Sequence, residues 1–372
     1  MDFEPPADDD PRRASVRVWL AAHPDPTASE LAAAGYVAPH WPLPWGRAAD
    51  PTEQLIIDEE LHRAGVARPD NPIAVGWAGP TILAGGTPDQ QERWLPGILD
   101  GSEEWCQLFS EPDAGSDLAS LRTQARREGD VYVLNGQKIW STWANRSDWG
   151  ILLARTDPDA PPHRGISYFV VDMRTRGIEI RPIIEMTGGN HFNETFFTDV
   201  HIPVDQRIGP ENDGWRLAKV TLGNERVSLA EGGVLWGMGP TSEACFDEIR
   251  AIGVPNSSLR QRTAAAYSEM VIIRLLGYRL MAALVRSGDP GPFASVRKTL
   301  ADEHGQHLMS LIHDLRGTAG LLGMQNAEAE ERDPWHWGYL FSRALTIGGG
   351  TSEVQRDIIA EHLLGLPREP RP

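Results

Sequence analysis

Two short segments hold the residue types best suited to gripping a polar, planar ligand. The first runs Trp105-Cys106-Gln107-Leu108-Phe109-Ser110-Glu111-Pro112-Asp113-Ala114-Gly115-Ser116-Asp117. It reads as a turn of small residues able to aim backbone N–H groups and the Ser110 and Ser116 hydroxyls at an anion. The second, Gly136-Gln137-Lys138-Ile139-Trp140-Ser141-Thr142, closes a strand with an indole and a hydroxyl. The Trp140 ring can cover one face of a planar heterocycle, and the Thr142 hydroxyl can donate to a ring nitrogen. Either segment alone also fits an ordinary turn or a core tryptophan. A third segment, Ile347-Gly348-Gly349-Gly350-Thr351, leads into Ser352-Glu353-Val354-Gln355-Arg356. Glycines there can take positive φ and put no side chain between backbone and ligand. Ser352 with Gln355 fits a capping box, which predicts a helix whose free N–H groups and positive end face an anion.

Three other patterns read as structure rather than chemistry. Gly232-Gly233-Val234-Leu235-Trp236-Gly237-Met238-Gly239 sits in a helical context without the strand-to-helix order of a dinucleotide fingerprint, and predicts close helix packing. His304 and His307 share a helical face with no third ligand nearby, so they are expected to be exposed polar residues and no metal is expected. Ser-His-Asp hydrolysis has no nucleophile elbow to support it.

The elements that must position these residues follow from periodicity. From Ala14 to Asp100 the chain reads helical, as in Glu53 to Ala64, with a Trp41-Pro42-Leu43-Pro44-Trp45 loop. Between Val131 and Pro203 the apolar residues come in short β-rich runs: 131–134, 151–153, 166–171, 178–180 and 196–202. After Gly214 long amphipathic helices return, punctuated by Pro290-Gly291-Pro292 and Gly317 to Gly323. Tyr267, Val271, Leu275, Tyr278, Ala282 and Val285 fall on one helical face, which reads as bundle core. With 372 residues, 41% of them hydrophobic, and 13 tryptophans, the chain has ample interior for a cofactor. A formal net charge of −17 argues against nucleic-acid or membrane-surface binding, and no apolar run approaches a membrane span. Cys106 and Cys245 are too few for a disulfide framework, and the acidic start Met1–Asp10 does not read as a secretory signal, so a cytoplasmic location is expected.

Taken together, these motifs resemble the acyl-CoA dehydrogenase family of flavoenzymes. The likeness continues through Asn135-Gly136-Gln137-Lys138, Leu152-Leu153-Ala154-Arg155-Thr156, Phe192-Asn193-Glu194 with Phe197 and Pro203, and Gly214-Trp215. It closes with Gly350 to Arg356 and Leu364-Gly365-Leu366-Pro367-Arg368. The resemblance implies an α+β fold: an acidic tail over 1–13, an N-terminal helical domain over 14–104, a middle β-sheet or barrel domain over 105–213, and a C-terminal four-helix bundle over 214–372. It implies FAD as cofactor, with Ser110, Ser116, Trp140, Thr142, Thr351 and Glu353 beside it, and Ser116, Arg226 and Gly349 beside an acyl-CoA substrate. The implied reaction is α,β-dehydrogenation, a base taking the α-proton while the β-hydrogen leaves as hydride to flavin N5, with an electron-transfer flavoprotein as acceptor.

Two departures from the family pattern sharpen these expectations. Many members place the catalytic glutamate immediately before the Gly-Thr of the C-terminal motif, where this chain has Gly349. A second family solution puts it on the first helix of the bundle, directly before an arginine, which selects Glu225 of Leu222-Gly223-Asn224-Glu225-Arg226 as the base and Arg226 as a neighbour that orients it or contacts CoA. Small residues at 348 and 349 are expected to widen the acyl cavity for a bulky substrate. The segment Ile249-Arg250-Ala251-Ile252-Gly253-Val254-Pro255 lacks the phenylalanine of the family's Arg-x-x-Phe-Gly grip on a neighbour's flavin, and the later Gly-Gly-x-Gly is reduced to Gly320-Leu321-Leu322-Gly323. Both losses suit one half of an α2β2 heterotetramer with a homologous subunit, such as those acting on steroid side-chain thioesters, with a homodimer or homotetramer as the other arrangement. The rival functions are a non-catalytic assembly subunit and a flavin oxidase or monooxygenase on the same fold.

Overall fold

A computed structural model of the chain describes residues 6–231, 234–287, 291–321 and 333–368. Of the motifs above, Met1–Pro5, Gly232, Gly233, Pro290, Leu322 and Gly323 lie outside the described residues, as does the side chain of Val285. The chain divides into two units, one running to Ile183 and resuming over Asn190–Asn224, the other comprising Ile184–Gly189 and the described residues from Glu225 onward.

The first unit opens with helices α1 (Pro11–Ala22), α2 (Ala28–Ala33), α3 (Pro51–Arg63), α4 (Gly79–Gly85) and α5 (Pro88–Asp100). Their starts are written in the sequence. Thr27 and Thr87 form capping boxes with Glu30 and Gln90, Asp10 and Asp50 cap α1 and α3, and proline occupies the first turn of α1, α3 and α5. Arg13, at the end of the segment read as a tail, is buried and bonds Glu60 Oε1 at 2.8 Å and the Ala7 carbonyl at 2.9 Å.

The sheet follows: β1 (Trp105–Leu108), β2 (Gln124–Glu128), β3 (Val131–Lys138), β4 (Trp149–Arg155), β5 (Ile166–Asp172), β6 (Ile178–Pro182), β7 (Asn193–Pro203) and β8 (Arg207–Ile208). Their order is β6-β7-β3-β2-β4-β5-β8, with β1 pairing in parallel on β4. Each β-rich run read from the sequence lies in one of β3 to β7. β2 had no such signal because Gln124-Ala125-Arg126-Arg127-Glu128 buries only Ala125. Tyr132, Leu134, Leu152, Phe169, Val200 and Ile202 lie in the core packed against one face. β4 and β5 are buried almost continuously because both of their faces are covered, which is why they read as unbroken apolar runs. Trp94 of α5 meets Trp149 edge-on at 5.9 Å, and Thr221 bonds the Tyr168 hydroxyl at 3.0 Å and Thr81 at 2.8 Å.

Helix α6 (Gly214–Glu231) carries the chain into the second unit, which holds α7 (Ser242–Ile252), α8 (Ser257–Ser287), α9 (Phe293–Arg316), α10 (Pro334–Phe341) and α11 (Ser352–Ile358). Helix α9 is its centre, burying Ala301, His304, Gly305, Leu308, Met309, Leu311 and Ile312. Three local expectations are corrected here. The apolar face of α8 is not core: Tyr267 is 55% and Leu275 41% exposed, Tyr278 is exposed, and among the described side chains of that face only Ala282 is buried. Helical spacing reports that a face is apolar, not that this chain itself covers it. The glycine-rich segment is not helical where described, since Val234–Gly239 forms turns after α6, but its packing is close as expected: a Cβ on Gly239 would overlap Leu235 Cδ1 and meet Trp337 of α10 at 3.1 Å, and one on Gly305 of α9 would overlap the Val234 carbonyl oxygen. His304 is buried rather than exposed, its Nδ1 lying 3.0 Å from Glu269 Oε2, and only His307 faces solvent. Among the described residues no helix is long and apolar enough to cross a membrane, and no group of three potential metal ligands occurs.

Candidate active site

In the first unit the two motif segments are bound to each other. The Ser110 carbonyl accepts from the Ile139 N–H at 2.9 Å. One residue on from Ser110 and one back from Ile139, buried Lys138 donates to Glu111 Oε1 and also to the Phe109 carbonyl, both at 2.8 Å. Burial pushes the Lys138 ammonium down to about 8 against the pull of Glu111. Burial also pushes Glu111 upward, but Lys138, the Arg122 N–H and the Thr123 side chain outweigh it and hold the carboxyl below its usual range. Glu111 and Ala114 then exchange two N–H···O bonds of 3.0 Å, closing a turn that leaves Gly115, Ser116 and Asp117 exposed. Ser110 is half-buried just before that turn and Ser116 is exposed two residues after it closes.

Trp140 comes two residues after β3. Its backbone is left-handed, with φ of 60°, and its indole is 56% exposed, standing edge-on to Phe192 at 6.0 Å. A bulky aromatic in that region of φ/ψ costs energy and persists only where the surroundings enforce it. Here the enforcement is visible. Ser141 and Asn193 exchange N–H···O bonds of 3.0 and 3.1 Å, Asn193 Nδ2 adds a third to the Ser141 carbonyl, and the Trp143 N–H donates to the His191 carbonyl. Thr142, two residues on, is half-buried. Ser141 Oγ, Asn193 Oδ1 and Thr195 Oγ1 are buried without a hydrogen-bond partner. An exposed aromatic face held in a strained backbone, beside three unsatisfied polar atoms, fits the edge of a planar polar heterocycle such as a flavin. Sequence reading missed the Asn193 clamp, although the Phe192-Asn193-Glu194 motif marked its position.

The second unit assembles the remaining residues around the triple glycine. Glu225 on α6 is 7% exposed. Arg226 beside it is half-buried; burial pushes its guanidinium below the usual range while the Glu225 charge pulls the other way. Gly349 and Gly350 are left-handed, with φ of 65° and 87°. A Cβ on Gly349 would overlap Leu229 Cδ1 and come within 3.0 Å of Lys298 Cε and 3.6 Å of Glu225 Oε1. A Cβ on Gly348 would meet the Trp236 ring at 2.5 Å. Leu229 and Trp236 occupy the room that side chains at 349 and 348 would take.

The helix after the glycines begins at Ser352 as expected, but Thr351 is its N-cap, its hydroxyl accepting from the Val354 N–H at 3.2 Å. Two left-handed glycines deliver the chain to the helix with Thr351, not Ser352, at the N-cap, and threonine is among the preferred caps. Gln355 turns to the glycine loop instead, its Nε2 donating to the Gly349 and Gly350 carbonyls at 3.2 and 3.3 Å. Buried Ser352 Oγ and Gln355 Oε1 have no partner. Glu353 is exposed, its carboxyl held below the usual range by its own N–H and the Thr351 hydroxyl. Lys298 and Asp302, unnoticed in the sequence because a Lys-x-x-x-Asp spacing ordinarily marks a surface ion pair, are both buried here. Lys298 Nζ lies 2.6 Å from Asp302 Oδ2, 2.9 Å from the Gly348 carbonyl and 3.3 Å from that of Gly350.

Comparison with known proteins accords with these motifs. Residues 10–102, 106–200 and 212–364 match the models of the acyl-CoA dehydrogenase N-terminal, middle and C-terminal domains. The chain is 44% identical over 364 residues to acyl-CoA dehydrogenase FadE34 of Mycobacterium tuberculosis, covering 96% of itself but 48% of that protein, so it spans about half of that relative's length. It is 39% identical to acyl-CoA dehydrogenase IpdE1 of the same organism, over 91% of this chain and 87% of that one. Among solved structures, the ChsE4-ChsE5 complex from Mycobacterium tuberculosis aligns with a TM-score of 0.77 at 31% identity, covering 99% of this chain and all of that one. The Tcur3481-Tcur3483 steroid ACAD aligns at 0.79 and 29%, with coverage of 99% and 100%. On motifs, fold and relatives alike, the chain belongs to the acyl-CoA dehydrogenase family.

Proposed function

We propose that this chain is the FAD-binding, catalytic subunit of an acyl-CoA dehydrogenase acting on a bulky acyl thioester, with Glu225 as the base. One observation carries the assignment of the base: Glu225 Oε1 lies 3.6 Å from the point where a side chain at 349 would begin. The two positions at which the family keeps its glutamate thus converge on one place, and in this chain Glu225 is the acid present there. Its burial keeps water from the carboxylate, which takes the α-proton of the substrate. The Gly349 and Gly350 backbone offers N–H groups to the thioester oxygen, stabilising charge that grows there as the proton leaves. Arg226 contacts the CoA or orients Glu225.

FAD, when bound, supplies the acceptor for the β-hydride. In the first unit Trp140 would cover its ring, and Ser110, Ser116 and Thr142 would donate to its polar edge and phosphates; the family resemblance adds Thr351 and Glu353 of the second unit as residues that would hold it. A steroid ACAD among the structural relatives supports a bulky acyl group. A two-protein complex among them, with the changed Ile249–Pro255 segment, supports assembly with a homologous subunit. An electron-transfer flavoprotein as acceptor and a cytoplasmic location belong to the same proposal, the latter resting on two buried, unbridged cysteines.

The test is Glu225→Gln in the flavin-loaded enzyme, co-expressed with its partner where one is required. We expect the visible flavin spectrum to persist while reduction by acyl-CoA slows about 10²–10⁴-fold. Reduction at the unaltered rate assigns the base elsewhere; an unaltered chain that binds flavin but is never reduced points to an assembly subunit.

A further inference from the structure

All three carbonyls of the triple glycine are held by two side chains that the reaction does not otherwise use. Lys298 of α9 takes those of Gly348 and Gly350, and Gln355 of α11 takes those of Gly349 and Gly350. Both side chains are fully buried. Lys298 is itself fixed by Asp302, whose other oxygen accepts from the Trp236 indole at 3.3 Å. On either side the loop is anchored, by the Gly348 N–H on the Ala344 carbonyl at 2.9 Å and the Ser352 N–H on that of Thr346 at 3.0 Å. Among the described residues the N–H groups of Gly349 and Gly350 have no acceptor. In a trans peptide the N–H points opposite its carbonyl, so holding the Gly348 and Gly349 carbonyls turns the Gly349 and Gly350 N–H groups the other way, where an anionic oxygen can meet them.

We propose that Lys298 and Gln355 are positioning residues that draw the Gly348, Gly349 and Gly350 carbonyls to one side, so that the Gly349 and Gly350 N–H groups meet the thioester oxygen beside Glu225. This rests on the function proposed above. Glycine is the residue least able to hold its own φ/ψ, so three in succession need external restraint to keep a donor aligned. A buried ammonium on two carbonyls, matched by a buried aspartate, supplies it without leaving a net charge near the base. Neither side chain touches the reacting atoms; both act through the peptide groups they hold.

The test uses the flavin-loaded enzyme, with its partner subunit where one is required. The probes are trans-2-octenoyl-CoA and a steroid side-chain enoyl-CoA, each carbon-13 labelled at the carbonyl. Difference infrared spectroscopy reads the carbonyl stretch, whose fall on binding measures hydrogen bonding to the thioester oxygen. Gln355→Leu removes one clamp without stranding a charge, and the double variant Lys298→Met with Asp302→Leu removes the other while keeping volume and neutrality. For both, we expect the fall in frequency to shrink by at least about half and kcat to drop about 10–100-fold, with KM moving less than about threefold. A preserved shift in both folded variants, whatever the activity, overturns the clamp. Glu225→Gln separates the two ideas: it should keep the full carbonyl shift while losing turnover, and full turnover there defeats the base assignment and not the clamp.

Discussion

At the scale of single residues, the site combines one strained aromatic with a stretch that only glycine can form. Trp140 holds φ of 60° because Asn193 pins the peptide after it, and the indole this presents is 56% exposed rather than packed. Folding alone gains little from that arrangement. Trp140→Gly should therefore leave the flavin-free protein within about 1 kcal/mol of its original stability, since relief of the left-handed strain offsets the small apolar loss. The same variant should lose most of its bound flavin. Chemical denaturation of the flavin-free protein and absorbance of the purified one check the two halves. Gly349 is the opposite case: its φ of 65° strains any side chain placed there, and a Cβ would have to displace the end of Leu229.

At the scale of elements, the flavin-side motifs are joined by a buried ion pair. Lys138 at the end of β3 and Glu111 in the turn after β1 are both shielded from solvent, and Glu111 also takes the N–H groups before β2. The pair thus ties β1, β2 and β3 to the turn that carries Ser110 and Ser116. Lys138→Met leaves the Glu111 charge buried without its partner and should cost about 3–5 kcal/mol, read as a lower denaturation midpoint. Glu111→Gln with Lys138→Met should recover part of that loss. Full stability of the single variant would mean that solvent reaches Glu111. Helix α9 does comparable work in the second unit, where Lys298 and Asp302 on one face hold the glycine loop.

At the scale of the whole molecule, the exposed apolar face of α8 is the feature an isolated chain does not account for. Tyr267, Leu275 and Tyr278 lie along a helix whose other face packs on α9, and large exposed apolar residues in a row mark a surface covered in an assembly. Together with the changed Ile249–Pro255 segment, this leads to a prediction about flavin content. The chain expressed alone should carry little flavin, and co-expression with a homologous subunit should raise it to a fixed ratio below one per chain. One flavin per chain in the lone protein would remove the case for a heteromer. A surface with a formal charge of −17 should help keep unassembled chains apart.

The amino-acid sequence alone determined what local rules encode. Helix starts at Thr27, Asp50 and Thr87 follow from capping chemistry, β3 to β7 from apolar runs, the motifs around Ser110 and Trp140 from residue types at fixed spacing, and Glu225 from the family resemblance. Tertiary structure alone decided whatever depends on residues distant in the chain meeting. Capping of α11 passed to Thr351 because two left-handed glycines precede it, and Gln355 became a clamp. The apolar stripe of α8 stayed uncovered, His304 went inside, and Lys298-x-x-x-Asp302, indistinguishable in sequence from a surface pair, was buried against the glycine carbonyls. In each case the same side chain could face water or protein at little difference in local energy, and packing between elements selected one.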